Sequence, residues 1–587
     1  MAKNTPENQA KKTVNNDNYV GTLVGESTSR EFRLAVTPEA IKEQDIIAVD
    51  AELNTKEENQ SEKIRIWAKV QRIERINPLF PEESGHEFAF TRTNPFDTVM
   101  SLSREMVTAI CQILGYESKD NPTSGKLKKL RYPPKPASNA YRPDSKDIAR
   151  IVVGELEENS KNDQKNRGLD IATLSNRPEI DVKVDGHAIV TRHLAILAMT
   201  GAGKSWTARR IIEQLANKHY PIVIFDPHGD YTGLSDVDNL KDKVNRYYAQ
   251  FRVFEQPADK IIAIIDSLSS KELASTQRDF FPSLFASAKS FLNNSDKKLQ
   301  EREQWLLEYL VNQNISFSED LFFLANFTEA VVKAGKNSDK NFFDKLKEWT
   351  EQDLTINKQK AGWIEPMIGR LRGTGASLKR MENISKQISN NADPLPDNLK
   401  NLVNYDKISV VSLAGYSSDI QSTIYSLVAE ELFELRVRKE LKYQFVMVLE
   451  EGHNFVPAKA NSSAEQRSIE ITKQIAQEGR KFGVGLILIS QRPSRLDETT
   501  LAMCNSYIIM RMLNPADQSF VRKVIESLGE EETKMLPDLD VGEAILSGQF
   551  TSFPILVKIK EPESKGEREE KNAFDALEEE HQKSKNK

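Results

Sequence analysis

The stretch His193 to Ser205 reads HLAILAMTGAGKS, and its reading decides the fold. Leu194 to Leu197 form a short apolar β-run, a turn of small residues follows, and Lys204 and Ser205 open a helix. That helix has its own period, with Ala208, Ile211, Ile212, Leu215 and Ala216 recurring on one face. Strand, glycine turn, Lys-Ser and helix are the context a phosphate-binding P-loop requires. Gly201 and Gly203 let backbone N–H groups curl around phosphate oxygens, and the helix N-terminus adds partial positive charge. Thr200, Gly201, Ala202, Gly203, Lys204, Ser205 and Trp206 are therefore the expected ATP-cradling residues. Lys204 is expected on the β- and γ-phosphates, and the Ser205 hydroxyl on Mg²⁺. Ala198 stands where the pattern has its first glycine.

With 587 residues the chain has room for two or three domains. Hydrophobic content of 39% and charged content of 29% describe a soluble protein without a membrane partner. No apolar run approaches the roughly eighteen residues of a membrane span, and no secretory leader pattern opens the sequence. Residues 1–18 are polar and are expected to be a disordered tail. Cys111 and Cys504 lie far apart and match no metal or redox spacing, which predicts buried thiols in a reducing cytoplasm. A formal charge of −6 argues against a wholly basic DNA-coating surface but is compatible with a local basic channel.

From Tyr19 to Ile73 short runs (YVGTLV, EFRLAV, DIIAV, KIRIWAKVQRI) alternate with polar turns, which predicts a small β-barrel within residues 19–180. Phe96 to Leu114 reads as a helix, and Ile151 to Gly154 as the strand that closes the barrel. An α/β nucleotide-binding core then runs over 181–235 and resumes over 406–560, around a helical insertion at 236–405 without buried strands. Within the insertion, GRLRGTGASLKR (369–380) reads as a glycine-rich basic loop, and residues 561–587 as a charged tail.

Three apolar strands of the core end in polar residues, where parallel sheets hold ligands. PIVIFDPHGDY ends in Asp226 and Asp230, which either approach the metal or cap the following turn. FVMVLEEGHNF ends in Glu450 and Glu451. Glu450 suits binding Mg²⁺ through water, and Glu451 suits orienting and deprotonating the attacking water. His453 is a neighbour rather than a ligand, since no second His or Cys stands at metal spacing. GVGLILISQ ends in Gln491, a sensor of the γ-phosphate. Arg480 and Lys481 precede that strand in a polar turn. Arg480 either reaches a neighbouring subunit's ATP as a finger or is a solvated charge.

HLAILAMTGAGKS, VIFDPHGDY, VLEEGHNF, EGRKFGVGLILISQRP and CNSYIIMRMLNPADQ follow one another in an order that resembles the HerA branch of the HerA/FtsK ring ATPases. The resemblance implies a RecA-like P-loop core with an N-terminal small barrel. It also implies a homo-hexamer that threads double-stranded DNA through a central pore. On it, Lys204 and Ser205 match the Walker A pair, Glu450 and Glu451 the Walker B acids, and Gln491 the sensor. Arg480 matches the finger, and Arg192 an arginine near the subunit boundary. Ala198 and Glu450 depart from the family's glycine and aspartate. Lys459 to Arg467, with Lys379 and Arg380, are the expected DNA contacts. The resemblance also implies a separate effector, a nuclease in DNA end resection, or a nuclease or sirtuin-like NAD-hydrolysing enzyme in anti-phage defence. The resemblance therefore leaves open a DNA motor and an ATP-controlled scaffold for such an effector.

Overall fold

The computed structural model describes residues 18–37, 39–54, 61–77, 106–120, 122, 127–153, 167–249, 252–269, 272–293, 299–310, 320–388, 392–564, 574–575, 577–578 and 581–582. The expected tail at 1–17, the first part of the expected helix (96–105), Gly154 and most of the C-terminal tail lie outside them. Two compact units form. One comprises Met1–Ala188, Ala198–Thr207 and Asn505–Glu561, and the other Ile189–Leu197, Ala208–Cys504 and Pro562–Lys587.

The chain opens with β1 (Tyr19–Ser27), β2 (Glu31–Val36), β3 (Ile46–Asn54), β4 (Ser61–Ile76), β5 (Met106–Ser118) and β6 (Asn139–Tyr141). They close into a barrel in the order β1-β2-β5-β4-β3-β6. Alternate residues point inward, so that Leu23, Phe32, Leu34, Val49, Ile66 and Val70 make the barrel core. Two sequence expectations are corrected here. Residues 106–114 are strand, not helix: Val107, Ala109 and Cys111 are buried in alternation, and Phe32 pairs with Cys111. The closing strand is β6, paired with β1 and β3, while Ile151 falls in helix α1 (Ser145–Val153).

Next come β7 (Gly168–Leu174), β8 (Arg177–Asp185), α2 (Gly186–Arg192), β9 (Leu194–Leu197), α3 (Lys204–Asn217), β10 (Ile222–Asp226) and β11 (Val244–Tyr248). The strand β11 lies in the stretch read as a largely helical insertion without buried strands. Its side chains are mostly half-buried and polar, which hid it. The helices α4 (Ala258–Leu268), α5 (Ser275–Asn293), α6 (Leu299–Glu308), α7 (Leu321–Lys336), α8 (Lys340–Thr350) and α9 (Lys358–Ile388) then follow. GRLRGTGASLKR is not a loop but part of α9, a helix of 31 residues. The chain returns through β12 (Asp393–Pro394), β13 (Ile408–Ser412), α10 (Ser418–Val437), β14 (Phe445–Leu449), α11 (Ser463–Phe482) and β15 (Val484–Ser490). It ends with α12 (Glu498–Met503), β16 (Ser506–Met510), α13 (Pro515–Val524), α14 (Glu530–Met535), β17 (Glu543–Gly548) and β18 (Ile555–Ile559).

In the second unit the strands run in the order β12-β11-β13-β10-β14-β15-β9, each pair parallel. Strands β9, β10, β13, β14 and β15 are buried at every residue, as a sheet covered on both faces requires. Helix α3 buries the face the sequence predicts, Ala208, Ile211, Ile212, Leu215 and Ala216. On the same helix the buried Glu213 carboxylate accepts hydrogen bonds from the backbone N–H of Glu563 (2.9 Å) and Ser564 (2.8 Å) and from the Ser564 hydroxyl (2.5 Å).

In the first unit β16, β17, β18, β7 and β8 form an antiparallel ladder. Lys69 of β4 makes a buried ion pair with Glu532 of α14 (2.6 Å), and Lys69 Nζ also donates to the Pro554 carbonyl (3.3 Å).

Candidate nucleotide site

Residues Ala198–Thr207 form the predicted loop and the first turn of α3. Gly201 has φ +80° and Gly203 φ +101°, the left-handed region that side chains disfavour. A Cβ on Gly203 would also lie 3.3 Å from the Met510 methyl. Ala198 is buried and is not among the left-handed residues, so alanine fits there without backbone strain. Two backbone hydrogen bonds fix the loop from outside. The Met199 N–H donates to the Arg511 carbonyl (3.0 Å), and the Gly542 N–H donates to the Ala202 carbonyl (3.0 Å). Lys204 is buried, Ser205 half-buried, and Thr200 and Trp206 exposed. The Thr207 hydroxyl closes the first helical turn on the Gly203 carbonyl (3.0 Å).

The acids lie in the second unit. Strands β10, β14, β15 and β9 are neighbours running the same way, so their carboxyl ends share one edge. Past those ends stand Asp226, Glu450 with Glu451, and Gln491. Glu450 is fully buried and Glu451 is 4% exposed. Gln491 Nε2 donates to Glu451 Oε1 (2.6 Å), and His453 Nδ1 lies 3.3 Å from Glu451 Oε2. Glu451 itself sits at φ 50°, ψ 52°, a left-handed conformation that costs a non-glycine residue about 1 kcal/mol or more. Strain of this kind persists where the surroundings impose it, here at the residue assigned to the water. His453 thus stands beside an acid.

Asp226 takes the second of its two readings. Its Oδ1 accepts from the backbone N–H groups of His228 (3.2 Å), Gly229 (2.8 Å) and Asp230 (3.2 Å), and its Oδ2 from that of Tyr231 (3.2 Å). The carboxylate is committed to the turn rather than turned toward a metal. Burial and the nearby Asp230 push its pKa up, and the three amides of Gly229, Tyr231 and Asp230 oppose that. The turn returns Tyr231 beneath β14, where its hydroxyl donates to Glu450 Oε2 (2.5 Å). Burial, and next the Glu450 charge, hold the Tyr231 phenol well above its ordinary pKa. Arg209 of α3 is also buried here, in the field of Tyr231, Glu213, Asp230 and Glu450. Burial lowers its guanidinium pKa, and those groups raise it.

The two arginines stand elsewhere. Arg480 and Lys481 occupy the last turn of helix α11, not a polar turn, and Gly483 in the left-handed region ends that helix. Arg480 is exposed. Arg192 ends α2. Both precede the amino ends of adjacent strands, β15 and β9, at the edge opposite the acids. Between them His193 (φ 59°) is buried, and its Nε2 pairs with the Ala476 carbonyl of α11 (3.1 Å). Of the expected DNA contacts, Lys459, Lys379 and Arg380 are exposed, and Arg467 pairs with Asp259 (3.1 Å).

Sequence reading missed Tyr231 and His453 as partners of the two acids, although both lie inside quoted motifs. The β10–β14 pairing brings Tyr231 to Glu450, whereas His453 lies two positions from Glu451 on the same segment. Among the described residues no helix is long and apolar enough to cross a membrane.

The family description "Helicase HerA, central domain" matches residues 169–432. A probable helicase of Methanocaldococcus jannaschii, MJECL08, is 28% identical over 561 residues, covering 93% of this chain and 96% of the relative. The DNA double-strand break repair helicase HerA of Pyrococcus furiosus is 27% identical over 449 residues, 71% of each protein. Among solved structures, VirB4 of Thermoanaerobacter pseudethanolicus is 14% identical, with a TM-score of 0.45, covering 68% of this chain and 97% of that one. Residues 169–432 thus carry a HerA-family helicase domain, and the chain as a whole is similar to HerA-type helicases.

Proposed function

We propose that this chain is an ATP-hydrolysing motor on double-stranded DNA that works as a homo-hexameric ring. The observation that carries the reading is the placement of polar and charged groups at opposite ends of the same parallel strands. Glu450, Glu451 and Gln491 follow the carboxyl ends of β14 and β15, whereas Arg480 and Arg192 precede the amino ends of β15 and β9. β15 has seven residues. At strand rise that is about 23 Å, well beyond the reach of one side chain. Arg480 therefore serves a neighbour's nucleotide, and a head-to-tail contact of that kind, repeated, closes a ring.

The donors suit Mg²⁺. Ser205 and Glu450 offer hard oxygens, and one carboxylate suffices for a metal that keeps water and phosphate oxygens around it. Those two residues would hold the ion, which when bound neutralises charge on the phosphates. Lys204 and the N-terminus of α3 bind the phosphate chain. Glu451 accepts the proton of the attacking water. Gln491, hydrogen-bonded to Glu451, holds that carboxylate in place and touches the γ-phosphate or its water as a sensor. Arg480 from the next subunit stabilises charge that develops as the phosphoryl group leaves.

DNA is expected to be held through its phosphates by few and local cations, since the chain as a whole is acidic. The Pyrococcus relative is named as a double-strand break repair helicase. A separate effector, nuclease or sirtuin-like, and a setting in anti-phage defence rest on the family resemblance alone. The test is ATP turnover with and without duplex DNA at low salt. Stimulation should appear, be indifferent to base sequence, and fade with salt at a log–log slope of about −0.9 per phosphate neutralised. If duplex DNA neither binds nor stimulates, the motor reading is rejected in favour of an ATP-controlled scaffold.

A further inference from the structure

The turn after β10 is built in a way that ATP chemistry does not by itself require. Four backbone amides converge on the Asp226 carboxylate, and Gly229 takes φ +83° so that the chain can fold back. What the turn delivers is one side chain. Tyr231 is fully buried, and its hydroxyl ends 2.5 Å from Glu450 Oε2. A phenol buried beside a carboxylate can satisfy both groups with one hydrogen bond, and either left alone would carry a desolvation cost. A glutamate side chain has three rotatable bonds. In a site whose other carboxylate, Glu451, is already fixed by Gln491, an unheld Glu450 would sample several positions.

We infer that Asp226 and Tyr231 form a positioning device for Glu450: Asp226 shapes the turn, and the Tyr231 hydroxyl holds one Glu450 oxygen so that the carboxylate is ready for Mg²⁺. The inference rests on the assignment of Glu450 to the metal of the nucleotide site. Tyr231 is fully buried and acts through Glu450. Groups that orient metal ligands in this way are typically worth about 10–100-fold in metal affinity.

The test reads binding rather than turnover. A fluorescent, non-hydrolysable ATP analogue is titrated onto the full-length protein at a series of Mg²⁺ concentrations, and the Mg²⁺ giving half of the maximal affinity gain is recorded. Tyr231→Phe, which keeps the ring and removes only the hydroxyl, should raise that midpoint about tenfold and leave Mg²⁺-free affinity unchanged. Asp226→Asn should shift it in the same direction. Glu450→Gln is the control for the underlying assignment. If it leaves the Mg²⁺ midpoint where it was, the metal role of Glu450 fails and the inference falls with it. If Glu450→Gln moves the midpoint but Tyr231→Phe lowers only the melting temperature, Tyr231 is a packing residue and the positioning role is overturned.

Discussion

Replacing Arg480 by alanine tests the separation of the two strand edges directly. Arg480 is exposed on the last turn of α11, so its removal leaves no buried cavity and should barely change stability. Its distance from the carboxyl edge of its own chain, about 23 Å along β15, means the loss is felt only at a neighbour's site. Losing a trans-acting arginine costs on the order of 10³-fold in turnover while nucleotide binding stays nearly intact. Lys204→Ala should be equally inactive for the opposite reason, having lost its own phosphate lysine but still offering a finger. In rings mixed one to one, a working site needs an intact Lys204 on one chain and an intact Arg480 on the next. Random assembly of a head-to-tail ring makes about one site in four of that kind. ATPase activity per subunit should therefore rise from the floor of either parent to about a quarter of wild type. Phosphate release is the assay, with native mass spectrometry showing that mixed rings exist. Mixed rings that stay at the parental floor would refute the reasoning, as would a lone Arg480→Ala ring with near-normal turnover.

Glu451→Gln should bind ATP but hydrolyse it about 10²- to 10⁴-fold more slowly; normal steady-state turnover would remove the base assignment. His193 is buried, and burial depresses its pKa to about 4 from an ordinary 6.5. The unfolded chain therefore binds the proton first, and the stability His193 contributes is complete above pH 6.5 and lost as pH falls toward 4. The loss is about 3 kcal/mol in all. Denaturant midpoints measured across that window should fall less steeply in His193→Gln than in wild type, and equal slopes would exclude His193. Lys69→Met strands Glu532 without its buried partner and should cost about 3–5 kcal/mol. Lys69→Met with Glu532→Leu should recover most of that in a thermal melt, and no recovery would mean the charges themselves are needed.

What was legible in the sequence was what a few adjacent residues encode. The P-loop, the apolar strands and the acids at their ends are local patterns, and each of β9, β10, β14 and β15 lies where the pattern put it. The misreadings have local causes too. β5 was open to a helical reading because Met106, Ile110 and Ile113 also fit that period, while its inward positions hold the small Ala109 and Cys111. The glycines of α9 suggested a loop, yet Leu371, Thr374, Gly375 and Leu378 are buried along one face, and packing on α7 outweighs propensity. A Cβ on Gly375 would lie 3.2 Å from Leu321 Cβ. Tyr231 and Gln491 reach Glu450 and Glu451 through strand order, which no single segment carries.

The Glu213 clamp sets where the protein can be trimmed. Its buried carboxylate is met by the backbone of Glu563 and by the backbone and hydroxyl of Ser564, some 350 positions further along the chain. Those few residues beyond the last strand are thus structural parts of the helix that begins at Lys204, although nothing in their own composition marks them. A cut just after Ile559, the natural place to stop by eye, strips three donors from a carboxylate that water cannot easily reach. A cut after Ser564 spares all of them. For anyone fusing a tag or a reporter to this end, Ser564 is where the attachment may begin.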